Sequence, residues 1–201
     1  MRLGLLAVCL IACAAAGPAA AASLSKSYSY FTIGGRTLAE IQNELDRKGP
    51  RLHGTGGRHP GATRMEFKTH VGYRDHRGRC EIARVRVALI AKLILPRWVQ
   101  RGADSEVRLV WETLAADIRR HEEAHVAIAR DHARALERQL AAIRPQRDCA
   151  AARRLVQETT DRQLARHDAQ QARFDVIEGR DFEQRILRLL DQRRKQAAAR
   201  R

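Results

Sequence analysis

Aromatic residues make up only 4% of this 201-residue chain. A surface that stacks the bases of single-stranded nucleic acid needs aromatics interleaved with its cations, so that class is disfavoured at the outset. Cysteine is also scarce. There are four, none in a CxxC spacing, which removes the zinc ribbons and fingers built on paired thiolates. A membrane-spanning helix is not expected, because it needs roughly 20 consecutive apolar residues and the apolar stretch Leu3 to Ala12, which gives way to small residues, falls well short. No internal repeat is present.

What the N-terminus does carry is Met1-Arg2, that apolar stretch, and then small residues ending in Ala20-Ala21-Ala22-Ser23. This is the order of a secretory signal peptide, and residues 1–22 are expected to be removed. A lipoprotein route through Leu10-Ile11-Ala12-Cys13 ranks second, because Cys13 lies unusually close to the start. The expected address is therefore periplasmic or extracellular, with no transmembrane segment in the mature chain. Residues 23–201 then form a single domain, with its compact part at about 28–180 and a helical tail to 201. Two cysteines remain, Cys80 and Cys149. In an oxidising compartment such a pair predicts a disulfide, and the loop it closes contains His121 to His125.

Acidic residues are outnumbered, giving a formal charge of +15. Basic excess suits nucleic acid, an anionic surface or polymer, or an acidic partner. The arginines are spread along the helical sequence among acids, so the favoured reading is a solvated arginine-rich surface with no specific nucleic-acid partner.

The patterning predicts an α+β fold: a small antiparallel sheet in the N-terminal half packed on one long helix and further helices in the C-terminal half. Tyr28, Tyr30 and Phe31 suggest a short strand before the Gly34-Gly35 turn, and Thr37 can cap a helix that stops at Gly49-Pro50. Residues 51–63, rich in Gly with two His and a Pro, read as an exposed loop. Met65 to Tyr73 can form a strand, with a hairpin turn over Asp75 to Arg79. From Cys80 to Leu95 the apolar set Val85, Val87, Leu89, Ala91, Leu93 and Leu95 alternates with Arg84, Arg86 and Lys92, and Pro96 is expected to end that strand. A long helix, capped by Asp104 or Ser105, runs towards Pro145. Helices over about 150–174 and 182–196 follow, separated at Gly179.

The chemistry concentrates in His121-Glu122-Glu123-Ala124-His125. Histidines four apart on a helix rise about 6 Å along its axis, so both imidazoles reach one zinc ion, while the glutamate after the first is turned by about 100° and can serve as general base to an attacking water. Glu122 occupies that catalytic place. Counting along the helix from Trp111, Leu114 and Ile118 puts both histidines in core-facing slots ahead of Ile128. His132 lies about 10.5 Å of rise beyond His125 and cannot share the ion on a straight helix. Periodicity in the following helix offers His167 as third ligand, on the face of Val156, Thr160 and Phe174.

In order of features the chain resembles a bacterial family of unknown function described as predicted secreted zinc-dependent proteases. The resemblance runs from about Tyr28 to Arg180. It rests on Ile33-Gly34-Gly35 after the aromatic strand, the Cys80-headed strand ending Leu95-Pro96-Arg97-Trp98, the Trp111 helix with the metal motif, Cys149, and Phe174-Asp175. The resemblance implies a zinc-dependent peptidase. Family members often follow a Tyr-Asp pair with Thr-x-His-Gly, whose histidine suits a third ligand. This chain instead reads Val176-Ile177-Glu178-Gly179 after Asp175, so Glu178 takes that place or the ligand lies elsewhere. The expected function is a zinc metallohydrolase acting on a peptide or a cell-wall amide. The alternatives are a non-catalytic basic envelope protein that binds an anionic polymer or partner, and a zinc-binding scaffold without turnover.

Overall fold

A computed structural model of the chain describes residues 22–51, 57–100 and 102–199. The expected signal segment, apart from Ala22, and residues 52–56 of the expected loop lie outside them. The elements in chain order are β1 (Ser23–Ile33), α1 (Leu38–Lys48), β2 (Ala62–His76), β3 (Arg79–Trp98), α2 (Ser105–Ala141), α3 (Cys149–Arg180) and α4 (Phe182–Ala198). The class is α+β. The sheet is mixed, where a purely antiparallel one was expected: in the order β1-β3-β2, β2 and β3 form an antiparallel hairpin while β1 pairs parallel to β3. The end of β1 and the start of β2 lie at the same end of β3 and are joined through α1, so β2 carries the chain back and the hairpin then inserts β3 between them, parallel to β1. Among the described residues no helix is long and apolar enough to cross a membrane.

The starts of the first three helices carry a local reason. Thr37 caps α1 in a full capping box with Glu40, Asp104 accepts from Glu106 N to cap α2, and Asp148 accepts from Ala151 N to cap α3. The break between α3 and α4 falls at Asp181, with Gly179 still helical. Pro96 does not end β3, because β3 has β1 on one side and β2 on the other only as far as Ile94, beyond which a missing N–H on the β2 side costs nothing. The hairpin turns through Arg77 and Gly78, both at positive φ (53° and 73°), as a two-residue loop of the primed kind requires.

The alternation read from the sequence places Val87, Leu89, Ala91, Leu93 and Leu95 in the core beneath α2. It changes phase at one point. Gly72 faces Arg84 and Tyr73 faces Ile82, so Ala83 is an extra residue in β3, a bulge that returns Ile82 and Cys80 to the covered side of the sheet. Cys80 thereby meets Cys149 at the first turn of α3 in disulfide geometry, with 5.0 Å between Cα atoms. Backbone bonds reinforce the junction: Cys80 N donates to Gln146 O at 2.9 Å and Gln146 N to Cys80 O at 2.7 Å. β1 pairs with β3 only from Ala88 onward, so the N–H of Val87 needs another acceptor, and the buried carboxylate of Glu137 on α2 provides it at 2.7 Å.

The Cys80–Cys149 link spans 69 residues of separation, a loop for which chain entropy gives roughly 4 kcal/mol. Mass spectrometry of unreduced peptides should show the linked pair in protein recovered from an oxidising compartment. Urea unfolding of Cys80→Ser, Cys149→Ser protein should show a loss of about that size, and two free thiols in the native protein would refute the link.

Candidate metal centre

Helix α2 is covered on two sides, by the sheet and by α3, and this decides where the motif points. Its fully buried stripe is Trp111, Ile118, Glu122, Val126, Ala129, Ala133, Leu136 and Leu140. Glu122 therefore takes the core-facing slot that the sequence pattern gave to the histidines, and His121 and His125 stand half-buried at the rim towards α3. The count from Ile118 was off by one residue because the sheet contacts α2 through Glu122 and Val126, while Ile128 is only partly buried.

At that rim three ligand atoms converge. His121 Nε2 and His125 Nε2 are 3.0 Å apart, and Asp175 Oδ1 lies 3.2 Å from the first and 3.0 Å from the second. Among the described residues these three form a group able to hold a metal ion, with ligand atoms mutually within 4.8 Å. The other ring nitrogens are also committed. His125 Nδ1 lies 2.6 Å from Gln171 Oε1, an acceptor that fixes the hydrogen on Nδ1, and His121 Nδ1 lies 3.6 Å from Glu178 Oε2. The first contact leaves the His125 Nε2 lone pair for the cluster, and the second places a carboxylate on the Nδ1 side of His121. Phe174 stacks on His121 and meets His125 edge-on, each at 5.0 Å between centroids. Burial first, and then the neighbouring His125, hold the His121 pKa below its ordinary value, against the pull of Asp175 and Glu178.

Glu122 is fixed from the strand side. Thr63 Oγ1 donates to its Oε2 at 2.7 Å. Gly61 closes over it so tightly that a Cβ there would lie 2.8 Å from both Glu122 Oε1 and Ile118 Cγ2. Burial pushes the Glu122 carboxyl above the usual range, which Thr63 and His125 partly oppose. Glu123 points the other way, to Lys26 at 2.8 Å and to the Tyr28 hydroxyl, fastening β1 to α2.

The remaining candidates are placed as follows. His167 is buried one turn before Gln171, whose Nε2 lies 2.8 Å from His167 Nε2, so Gln171 stands between it and His125. Glu178 reaches His121 only on its Nδ1 side and is held by Arg120 and Arg185. His132 bonds to Gln163 and Gln170, both at 2.8 Å, away from the cluster. Asp175, Gln171, Thr63 and Gly61 were not singled out as site residues from the sequence. A signal for the first two existed, since residues 167, 171, 174/175 and 178 recur at helical spacing along α3.

A cavity of about 680 Å³ opens over the cluster, running along α2 from Asp117 to His125. Its far end is closed by Arg185 of α4, which makes a fork to both oxygens of Asp117 (3.0 and 3.2 Å) and reaches Glu178 at 3.2 Å. Burial alone would raise the Asp117 pKa, but Arg185 and Arg120 outweigh it and hold the carboxyl below the ordinary range.

The fold and this cluster define an α+β protein whose long helix carries a His-Glu-x-x-His segment, with both histidines in a two-histidine, one-carboxylate cluster able to hold a metal ion. The chain belongs to the family described as bacterial protein of unknown function (DUF922), which matches residues 28–183. No curated protein and no solved structure matches it.

Arg185→Ala should leave Asp117 buried without its fork and cost about 3 kcal/mol in denaturant unfolding. The wild-type contribution has a definite pH sense. A carboxyl with a lowered folded pKa stabilises above its unfolded value, 3.8 for Asp117, and that stability is lost as pH falls below it. The gap between wild type and Arg185→Ala should accordingly narrow on acidification below about pH 4; a gap constant from pH 7 to pH 2 would count against the pairing.

Proposed function

We propose that the chain is an exported zinc metallopeptidase in which His121, His125 and Asp175 hold the ion and Glu122 is the general base. One observation carries the reading: the three ligand atoms lie 3.0 to 3.2 Å from one another. Tetrahedral zinc with bonds of 2.0 to 2.1 Å needs ligand atoms about 3.3 Å apart, so the residues fit three corners and leave the fourth open, as in sites of the catalytic kind. Two imidazole nitrogens and a carboxylate oxygen are also the donor set zinc prefers. Gln171 and Glu178 on the two Nδ1 atoms act as outer partners that orient the rings.

Zinc bound there supplies Lewis acidity, polarising the scissile carbonyl and acidifying a water. Glu122 takes the proton from the attacking water through the carboxylate oxygen that Thr63 does not engage, as the new C–O bond forms. It then delivers the proton to the leaving nitrogen as the C–N bond breaks. Burial and the raised pKa of Glu122 suit a group that must both accept and return a proton near neutral pH.

The cavity walls favour a peptide over an acidic cell-wall amide. Pro60, Ala62, Met65, Ile118 and Phe182 line it, and Arg185, the one arginine among the described lining residues, is engaged by Asp117 and Glu178. Asp117, Glu122, Asp175 and Glu178 line the same space. Among the described residues, then, this chain of +15 lines its cleft with no unpaired arginine or lysine, which suits a neutral or cationic peptide with an apolar side chain beside the scissile bond. The eight helical steps from Asp117 to His125 rise about 12 Å, room for three to four extended residues. Export is supported by the N-terminal sequence and by the disulfide geometry of Cys80 and Cys149.

Purified protein should hold one zinc per chain. Asp175→Ala should weaken zinc retention by orders of magnitude, whereas His167→Ala and Glu178→Ala should change it by 100-fold at most, about the range of outer partners. Equal retention in all three would place the third ligand elsewhere. Glu122→Gln should keep fold and zinc yet lose peptide hydrolysis by about 1,000-fold or more, while Glu123→Gln keeps most of it. Full turnover in Glu122→Gln would end the proposed mechanism.

A further inference from the structure

The arginines that read as dispersed in the sequence are partly gathered by the sheet. Strand register places Arg64, Glu66, Lys68 and His70 of β2 on the same face as Arg84, Arg86, Ala88, Ile90, Lys92 and Ile94 of β3. This is the face turned away from α2, and Arg64, Lys68, Arg84, Arg86 and Lys92 are all exposed on it. Its acids among the described residues are Glu66, 3.5 Å from Lys68, and, beyond the bulge, Glu81, which is paired with Arg74 opposite it. Among the described residues Arg64, Arg84, Arg86 and Lys92 have no carboxylate at ion-pair distance, whereas Arg120, Arg185 and Arg194 on the helices do.

Arg64 sits directly opposite Lys92 across the ladder. Like charges so placed destabilise a sheet unless an anion lies over them. Register continues the face onto β1, where Ser23, Ser25, Ser27 and Ser29 stand beside Ala88, Ile90, Lys92 and Ile94. The result is a flat field with a row of hydroxyls along one edge and rows of cations along the other two strands.

We infer that this open sheet face binds an acidic polysaccharide, a linear chain carrying both carboxylates and hydroxyls. Arginine forks match carboxylate oxygens. Serine hydroxyls donate and accept, as sugar hydroxyls do, whereas a bare phosphate chain offers acceptors alone. Among the described residues the face carries no exposed aromatic or aliphatic side chain: Ile90 and Ile94 are half-buried, Phe31, in register with Pro96, packs on the Ile33 cluster, and Tyr28 and Tyr30 share the register of Leu93 and Leu95 on the α2 side. Insertion into a bilayer and base stacking both need such groups. The site lies on the opposite side of the sheet from the metal cluster and does not depend on its chemistry.

The test is a titration of full-length mature protein with a polyuronate of about ten sugars, at salt concentrations from about 50 to 200 mM. Two variants each remove four charges. One is Arg64→Thr, Arg84→Thr, Arg86→Thr, Lys92→Thr; the other is Arg108→Gln, Arg138→Gln, Arg154→Gln, Arg166→Gln, all exposed helical positions. The sheet variant should lose affinity by about 100-fold and flatten the salt dependence, while the helix variant changes by less than about five-fold. Arg64→Thr alone should bind more weakly while melting no lower than wild type, which separates lost binding from lost fold. Equal losses in the two four-charge variants would reduce the effect to net charge and overturn the site. Tighter binding of polyphosphate, or of anionic phospholipid vesicles, than of the polyuronate would overturn the assignment of its ligand.

Discussion

Everything at the candidate centre depends on α2 being packed from two directions at once. The sheet takes one stripe of the helix, ending in Glu122 and Val126, and α3 takes the neighbouring stripe, which carries His121 and His125. A helix in contact with one layer would have to choose between covering Glu122 and covering the two histidines. With two layers, the 100° between adjacent residues becomes a division of labour: the carboxylate is held dry by Thr63 and Gly61 on the strand side, and the imidazoles are oriented by Gln171 and Glu178 on the helix side. The chemistry proposed for the site needs both environments one residue apart on the helix.

The same arrangement explains which parts of the structure were legible in the sequence. Elements with strong periodicity or explicit caps were readable, including β3 from Val85 to Leu95, α2 from the Asp104 cap and α1 between Thr37 and Gly49. The parallel pairing of β1 was not, because it depends on β3 and not β2 taking the slot beside β1, and that choice leaves no mark on a period of two. Nor was the bulge at Ala83, where one added residue swaps the faces of Cys80 and Ile82 without disturbing composition. The motif fixed the helix, the pair of histidines and the glutamate between them. It did not show that Glu122 is the buried member, since a stripe one residue wide of the mark passes equally well through Ile118.

The third corner shows where a periodic reading stops. His167 does lie on the inward face of α3 and is buried there, as its spacing from Val156 indicated. What periodicity does not give is the axial offset between two helices, and that offset sets Gln171 against His125 and Asp175 against both rings. A buried histidine packed on Phe67 and bonded to Asp168 satisfies its polar atoms without metal. The exposed Asp175, with no burial signal of its own, is the residue that arrives at the cluster.

Helix α3 is also a mechanical object. It is anchored at Cys149, and Asp175 sits 26 residues along it, about 39 Å from the anchor. Over such an arm a swing of about 3° moves the carboxylate by about 2 Å, comparable to an entire zinc–ligand bond. The covalent link, strong as it is, lies at the pivot and has almost no leverage over the corner of the site. Precision at Asp175 must come from bonds made near the tip, where Gln171 grips His125 and Glu178 is clamped by Arg120 and Arg185. Polar contacts of modest individual strength thus act as the end-stops of a long lever.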